Sequence, residues 1–189
     1  KSLGCNCVRT LGLAARSFIE ECDRIGLMVI EDFGGDGYIG DTRWKSAMVD
    51  IIAETVIRDR NSPSVIAWGV RANNSPDCDE LYFKTAKCAK DLDPSRAVLG
   101  ARSFMGSRLY EDVFGFNETR KTGVSRPRKT AQLFIPYLIT EHSGAWQVKN
   151  FDPVADRRAH ALAHLDVLDK VLGSKSIDGC IGMSLSDFH

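Results

Sequence analysis

Short apolar runs alternate along the chain with stretches of helical period. Apolar residues crowd positions 4–9, 27–30, 64–70, 96–101, 109–116, 134–140 and 178–185, and each run has strand length. Between them, residues 13–24, 42–60 and 154–172 repeat their apolar positions every three or four residues, as amphipathic helices do. A further helix is expected from Ser75-Pro76-Asp77 to about Leu92, with proline and acids suited to a first turn. Gly26, the loop FGGDGYIGD (33–41) and Asn61-Ser62-Pro63 punctuate the pattern.

Seven strands alternating with helices imply parallel pairing through right-handed crossovers. An open doubly wound sheet and a (β/α) barrel share this rhythm. Two features favour the barrel. Polar residues recur just after strands, at Arg9, Glu31, Asn73, Asn74, Glu141 and Asp187, and barrels gather their chemistry at that rim. No P-loop is present to support a nucleotide-binding sheet. A full barrel takes roughly 250 residues, so 189 residues are expected to form one incomplete barrel domain, cut from a longer multidomain chain.

Composition narrows the function. The 25 basic and 25 acidic residues cancel, which argues against a general affinity for nucleic acid or an anionic membrane. No apolar run approaches the length of a bilayer span. The six cysteines show no CxxC and no zinc spacing, and are expected to be free, mostly buried thiols, favouring a reducing compartment such as the cytoplasm. His160 and His164, four apart on a helix, are expected to pack or be solvated rather than bind metal, and Trp68 to sit in the core. The basic run at 126–129 reads as a solvated loop.

The most pointed residue is Glu141, a carboxylate ending an apolar strand and followed by His142. A charge there must be paired or functional. An ion pair with Arg9 or Arg71 is the structural explanation; catalysis is the other.

Five segments, in order, resemble the catalytic barrel of glycoside hydrolase family two, the β-galactosidase and β-glucuronidase family. GCNCVRT (4–10) is similar to its second strand, and CDRIGLMVIED (22–32) to the passage into its third. RDRNSPSVIAWGVRANN (58–74) resembles the fourth, YLITEHSG (137–144) the seventh and DGCIGMSLSDF (178–188) the eighth. The resemblance implies a (β/α)8 TIM barrel holding about strands 2 to 8. It also implies hydrolysis of β-linked sugars with retention of configuration, no cofactor or metal, and flanking β-sandwich domains in the parent chain. Glu141 would be the nucleophile, Asn73 would bond the sugar 2-hydroxyl, and Arg9, Glu31, His142 and Asp187 would contact sugar.

The family's acid/base glutamate falls at Asn74, whose amide cannot supply a proton as a carboxylic acid does. Leu11-Gly12-Leu13-Ala14, Phe33-Gly34-Gly35, Phe116 and Met183 depart from the family pattern as well. The expectation is therefore an impaired O-glycosyl hydrolase. The alternatives are a non-catalytic carbohydrate-binding or structural pseudoenzyme and, further off, an unrelated α/β enzyme.

Overall fold

The computed structural model describes residues 2, 4–118, 134–142 and 153–183, with side chains of the last stretch from 157 onward. The chain divides into two compact units, Lys1–Phe114 and Gly115–His189.

In the first unit β1 (Cys7–Arg9), β2 (Met28–Asp32), β3 (Val65–Gly69) and β4 (Ala97–Arg102) pair in sequence order, each parallel to the next. Three helices connect them: α1 (Arg16–Ile25), α2 (Thr42–Asp59) and α3 (Asp79–Leu92). Local chemistry sets their ends. Gly26 takes a left-handed conformation (φ 66°) that closes α1, with its N–H donating to Cys22 O. Asp41 caps α2 by accepting from Trp44 N at 2.9 Å.

The structure shortens several expected elements. α3 starts at Asp79 because Ser75 and Asp77 are engaged elsewhere: Ser75 Oγ bonds the Tyr82 hydroxyl, and Asp77 accepts from Arg71 at 2.6 Å. α1 starts at Arg16, since the Ala14 carbonyl is taken by Arg58 at 2.9 Å.

Alternation along the strands sorts their side chains. Val29, Trp68 and Val98 face the helices and share one core with Ile19, Ile52, Val56, Leu81 and Ala89. Trp68 is fully buried, as expected; it stacks on Phe33 and donates from Nε1 to Asp93 at 3.1 Å. The thiols depart from expectation. All six are free, but only Cys22 is buried, and Cys5 is exposed because β1 begins after it.

The second unit holds most of β5 (Val113–Glu118) and, among the described residues, β6 (Tyr137–His142) and β7 (Gly179–Gly182), with β6 parallel to β7. Helix α4 (Pro153–Leu172) precedes β7. β6 begins three residues later than the apolar run, after Phe134 at φ 53° and Pro136, which has no N–H for a ladder. The run at 126–129 and Asp187 lie outside the described residues. Among the described residues no helix is long and apolar enough to cross a membrane.

Candidate active site

The ends of β1, β2 and β3 bring one connected cluster together. Arg9 closes β1 and Asp32 closes β2. The two form a buried ion pair, with 3% and 4% of their side chains exposed, and Arg9 Nε donates to Asp32 Oδ2 at 2.7 Å. Arg9 Nη2 also donates to Asn73 Oδ1 at 2.9 Å, which fixes the orientation of that amide. Asn73 Nδ2 then donates to Asp36 Oδ1 at 3.1 Å, and Asn74 Nδ2 donates to the same oxygen at 3.3 Å.

The backbone makes room for this. Gly69 lies beside Asp32, and a Cβ there would fall 1.4 Å from Asp32 Oδ1. Asn74 adopts φ 51°, a left-handed conformation that asparagine enters more readily than most residues.

Arg9, Asn73 and Asn74, all expected at the rim, thus meet in one network. Glu31 does not join them. It alternates with Asp32 and Ile30, so its side chain turns to the helices, fully buried. There Arg58 Nη2 donates to Glu31 Oε1 at 3.1 Å and bonds Asp59 Oδ2, while Arg16 Nη1 donates to Asp59 Oδ1 at 2.9 Å. Burial, reinforced by the Asp59 charge and opposed by Arg58, pushes the Glu31 carboxyl up to about 7. The rim carboxylate of β2 is Asp32. Period-two alternation against Ile30 was the signal that could have identified it. Asp36 was also missed; its flanking glycines were the only sequence cue.

Arg71, one candidate partner for Glu141, is spent within the first unit. It donates to Glu111 at 2.5 Å and to Asp77 at 2.6 Å, with its guanidinium 4.2 Å from the Tyr82 ring centroid.

In the second unit Glu141 is 9% exposed near the end of β6, the edge at which barrels carry catalytic groups. The preceding Thr140 donates from Oγ1 to Asn117 Oδ1 of β5 at 2.8 Å. His142 is 2% exposed, with its ring edge-on to His164 at 5.1 Å. Burial first, and then the neighbouring His164, lowers the His142 imidazole to about 4, so it is neutral near pH 7. Gly182 allows this approach: a Cβ there would meet His164 at 3.0 Å and His142 at 3.3 Å. His164 in turn bonds His160 Nε2 at 3.0 Å. Among the described residues no His, Cys, Asp or Glu cluster could hold a metal ion.

The sequence pattern of the glycosyl hydrolases family 2 TIM barrel domain matches residues 1–113. A β-galactosidase of Thermoanaerobacterium thermosulfurigenes is 35% identical over 182 residues, covering 93% of this chain and 25% of the relative. A β-glucuronidase of Sus scrofa is 33% identical over 121 residues, 60% of this chain and 18% of the relative. This chain therefore spans about a quarter or less of the length of these relatives. Among solved structures, a β-galacturonidase from Eisenbergiella tayi bound to galacturonate superposes with a TM-score of 0.78 at 22% identity. It covers 95% of this chain and 37% of its own. That likeness establishes the fold as a TIM barrel, here incomplete. The chain belongs to glycosyl hydrolase family 2, within its TIM barrel domain.

Proposed function

We propose that this chain carries the catalytic residues of a retaining β-glycosidase in which Glu141 is the nucleophile. The supporting observation is a largely buried carboxylate near the end of an apolar strand in a chain of glycosyl hydrolase family 2. Retaining chemistry uses two carboxyl groups: one attacks the anomeric carbon, and the other protonates the leaving oxygen and then activates water. Arg9 and Asn73 hold the sugar, with Asp32 taking the place beside Arg9 that the resemblance gave to Glu31. Asp187 is a further sugar contact by the same resemblance. β-Galactosides and β-glucuronides are the first substrates to test, because the relatives are named for them.

Asn74 stands where the family has its acid/base glutamate. General acid–base help is worth roughly 10²–10⁴-fold. Hydrolysis of poor leaving groups should therefore be slow, while 2,4-dinitrophenyl glycosides, which need no proton, should still glycosylate the protein. The test is mass spectrometry of the peptide bearing Glu141 after incubation with dinitrophenyl β-glycosides. A glycosyl adduct on Glu141, lost in Glu141→Gln, is expected. The amide at Asn74 also favours a second reading, a sugar-binding protein without turnover. Sugar binding by calorimetry with no adduct would support that reading and overturn the first.

A further inference from the structure

Two arginines of the first unit share one buried carboxylate, and only one of them has all its nitrogens met. Arg71 lies just after β3, Arg102 closes β4, and Glu111 lies just before β5. The side chains of both arginines are 3% exposed and that of Glu111 is 0% exposed. Gly100 leaves room for them: a Cβ there would fall 2.3 Å from Glu111 Oε1 and 2.6 Å from Arg71 Cδ.

Every nitrogen of the Arg71 guanidinium has an acceptor. Nε donates to Glu111 Oε1, Nη1 to Asp77 Oδ1 at 2.6 Å, and Nη2 to the Arg108 carbonyl at 2.6 Å. Arg102 is less well met. Its Nη2 donates to Glu111 Oε2 at 2.8 Å, an oxygen that also accepts from Tyr110 N at 2.8 Å. Its Nε and Nη1 are buried with no acceptor among the described residues. The guanidinium carbon lies 4.2 Å from the centroid of the Phe114 ring, which offers no oxygen in exchange. Ser107, one residue before the carbonyl that holds Arg71, has its hydroxyl buried without a partner as well.

Unmet N–H groups are costly inside a fold, and more so on a charged side chain. Arg102 does not escape the cost by losing its proton. Burial, opposed by Glu111 and reinforced by Arg71, lowers it only to about 10, so it stays charged at neutral pH. A water molecule could accept these hydrogen bonds but would leave the charge as it is. Two guanidinium charges are buried against one buried carboxylate, and Asp77 is 32% exposed and held by Arg71. An oxyanion meets both needs at once, because guanidinium N–H groups match the oxygens of carboxylate, sulfate and phosphate.

We propose that Arg102 anchors a buried binding site for a small oxyanion at the end of β4, with Arg71 adding positive charge across Glu111. The site uses residues of the first unit alone and is independent of the glycosidase reading. Its donors are shielded from solvent, so the anion is taken up on folding and stabilises the native state.

The experiment is thermal unfolding of the unaltered protein and of Arg102→Met in sodium phosphate, sulfate, malonate and chloride at matched ionic strength. Phosphate and sulfate stabilise many proteins simply by exclusion from their surfaces, so the readout is the difference between the two proteins. At about ten times its Kd, an oxyanion should raise the midpoint of the unaltered protein by about 3–5 °C more than that of Arg102→Met. An excess in malonate alone identifies the ligand as a carboxylate; one in phosphate or sulfate identifies an inorganic oxyanion. Equal rises in the two proteins overturn the site. Crystals of the unaltered protein grown in selenate or in malonate give the answer even where Arg102→Met does not fold. Density for either anion within hydrogen-bond distance of Arg102 Nε or Nη1 is expected. Anion density confined to the surface, an adventitious ion only, overturns the proposal.

Discussion

Glu31 and Asp32 are consecutive carboxylates on one strand, yet they serve opposite kinds of network. Asp32 opens a chain of contacts that runs through Arg9 and Asn73 and ends at the exposed carboxylate of Asp36. Glu31 enters a network that closes on the fold itself: Arg58 spans Glu31, Asp59 and the Ala14 carbonyl, and Arg16 spans Asp59 and the Arg58 carbonyl. The first ends in groups a ligand could meet; the second ends in backbone and helix. A single step along a pleated strand decides which network a carboxylate joins.

The largest effect should come from breaking the Asp32 network. Asp32→Ala removes the carboxylate of a buried ion pair with Arg9. Losing one partner of a buried ion pair typically removes about 3–5 kcal/mol. Arg58→Met should lose only about 1–2 kcal/mol, because Glu31 can stay protonated and Asp59 keeps Arg16. Urea unfolding at pH 6 compares the two. Equal losses would erase the distinction between the networks.

The second effect is a pH dependence carried by Glu31. Its folded-state value, about 7, lies above the usual range for a free glutamate, so the folded state holds the proton more tightly than the unfolded chain. Glu31 therefore contributes stability that is full below its unfolded value and is lost as pH rises through 7. Glu31→Gln is neutral at every pH and keeps an acceptor for Arg58. The substitution should be near neutral at pH 5 and stabilise by about 1–2 kcal/mol at pH 8, allowing for screening around the half-exposed Arg58. Thermal melts across pH 5–8 measure it, and a difference that does not grow with pH would show that Glu31 is ionised in the fold.

The strand-and-helix rhythm was readable because apolar runs and helical periods are local properties. Seven strands and four helices stand among the described residues, near where the pattern put them. Arg9, Asn73 and Asn74 were readable for a similar reason, since Arg9 ends a strand and the asparagines follow one within five residues. What the sequence hid was which of two adjacent carboxylates faces the rim. Glu31 and Asp32 share composition and position, and only the register of β2 against β3, where Asp32 lies opposite Gly69, separates them. Asp36 was hidden further, because its place depends on a bridge to Asn73, 37 residues away.

The smallest effect lies in the second unit and has the opposite sign to that of Glu31. His142 is buried against His164, which itself bonds His160. Its imidazole is lowered to about 4, so below its ordinary value near 6.5 the unfolded chain binds a proton that the folded chain refuses. The stability it contributes is full above 6.5 and is lost as pH falls through 4. His142→Phe cannot take that proton and keeps an aromatic ring against His164. Relative to the unaltered protein it should gain under about 1 kcal/mol at pH 5.5 compared with pH 7.5. Local hydrogen exchange in β6 and β7 at the two pH values reads this change where it arises. Equal relative protection at both pH values would mean that His142 is charged within the fold, and that the two units do not respond to pH in opposite directions.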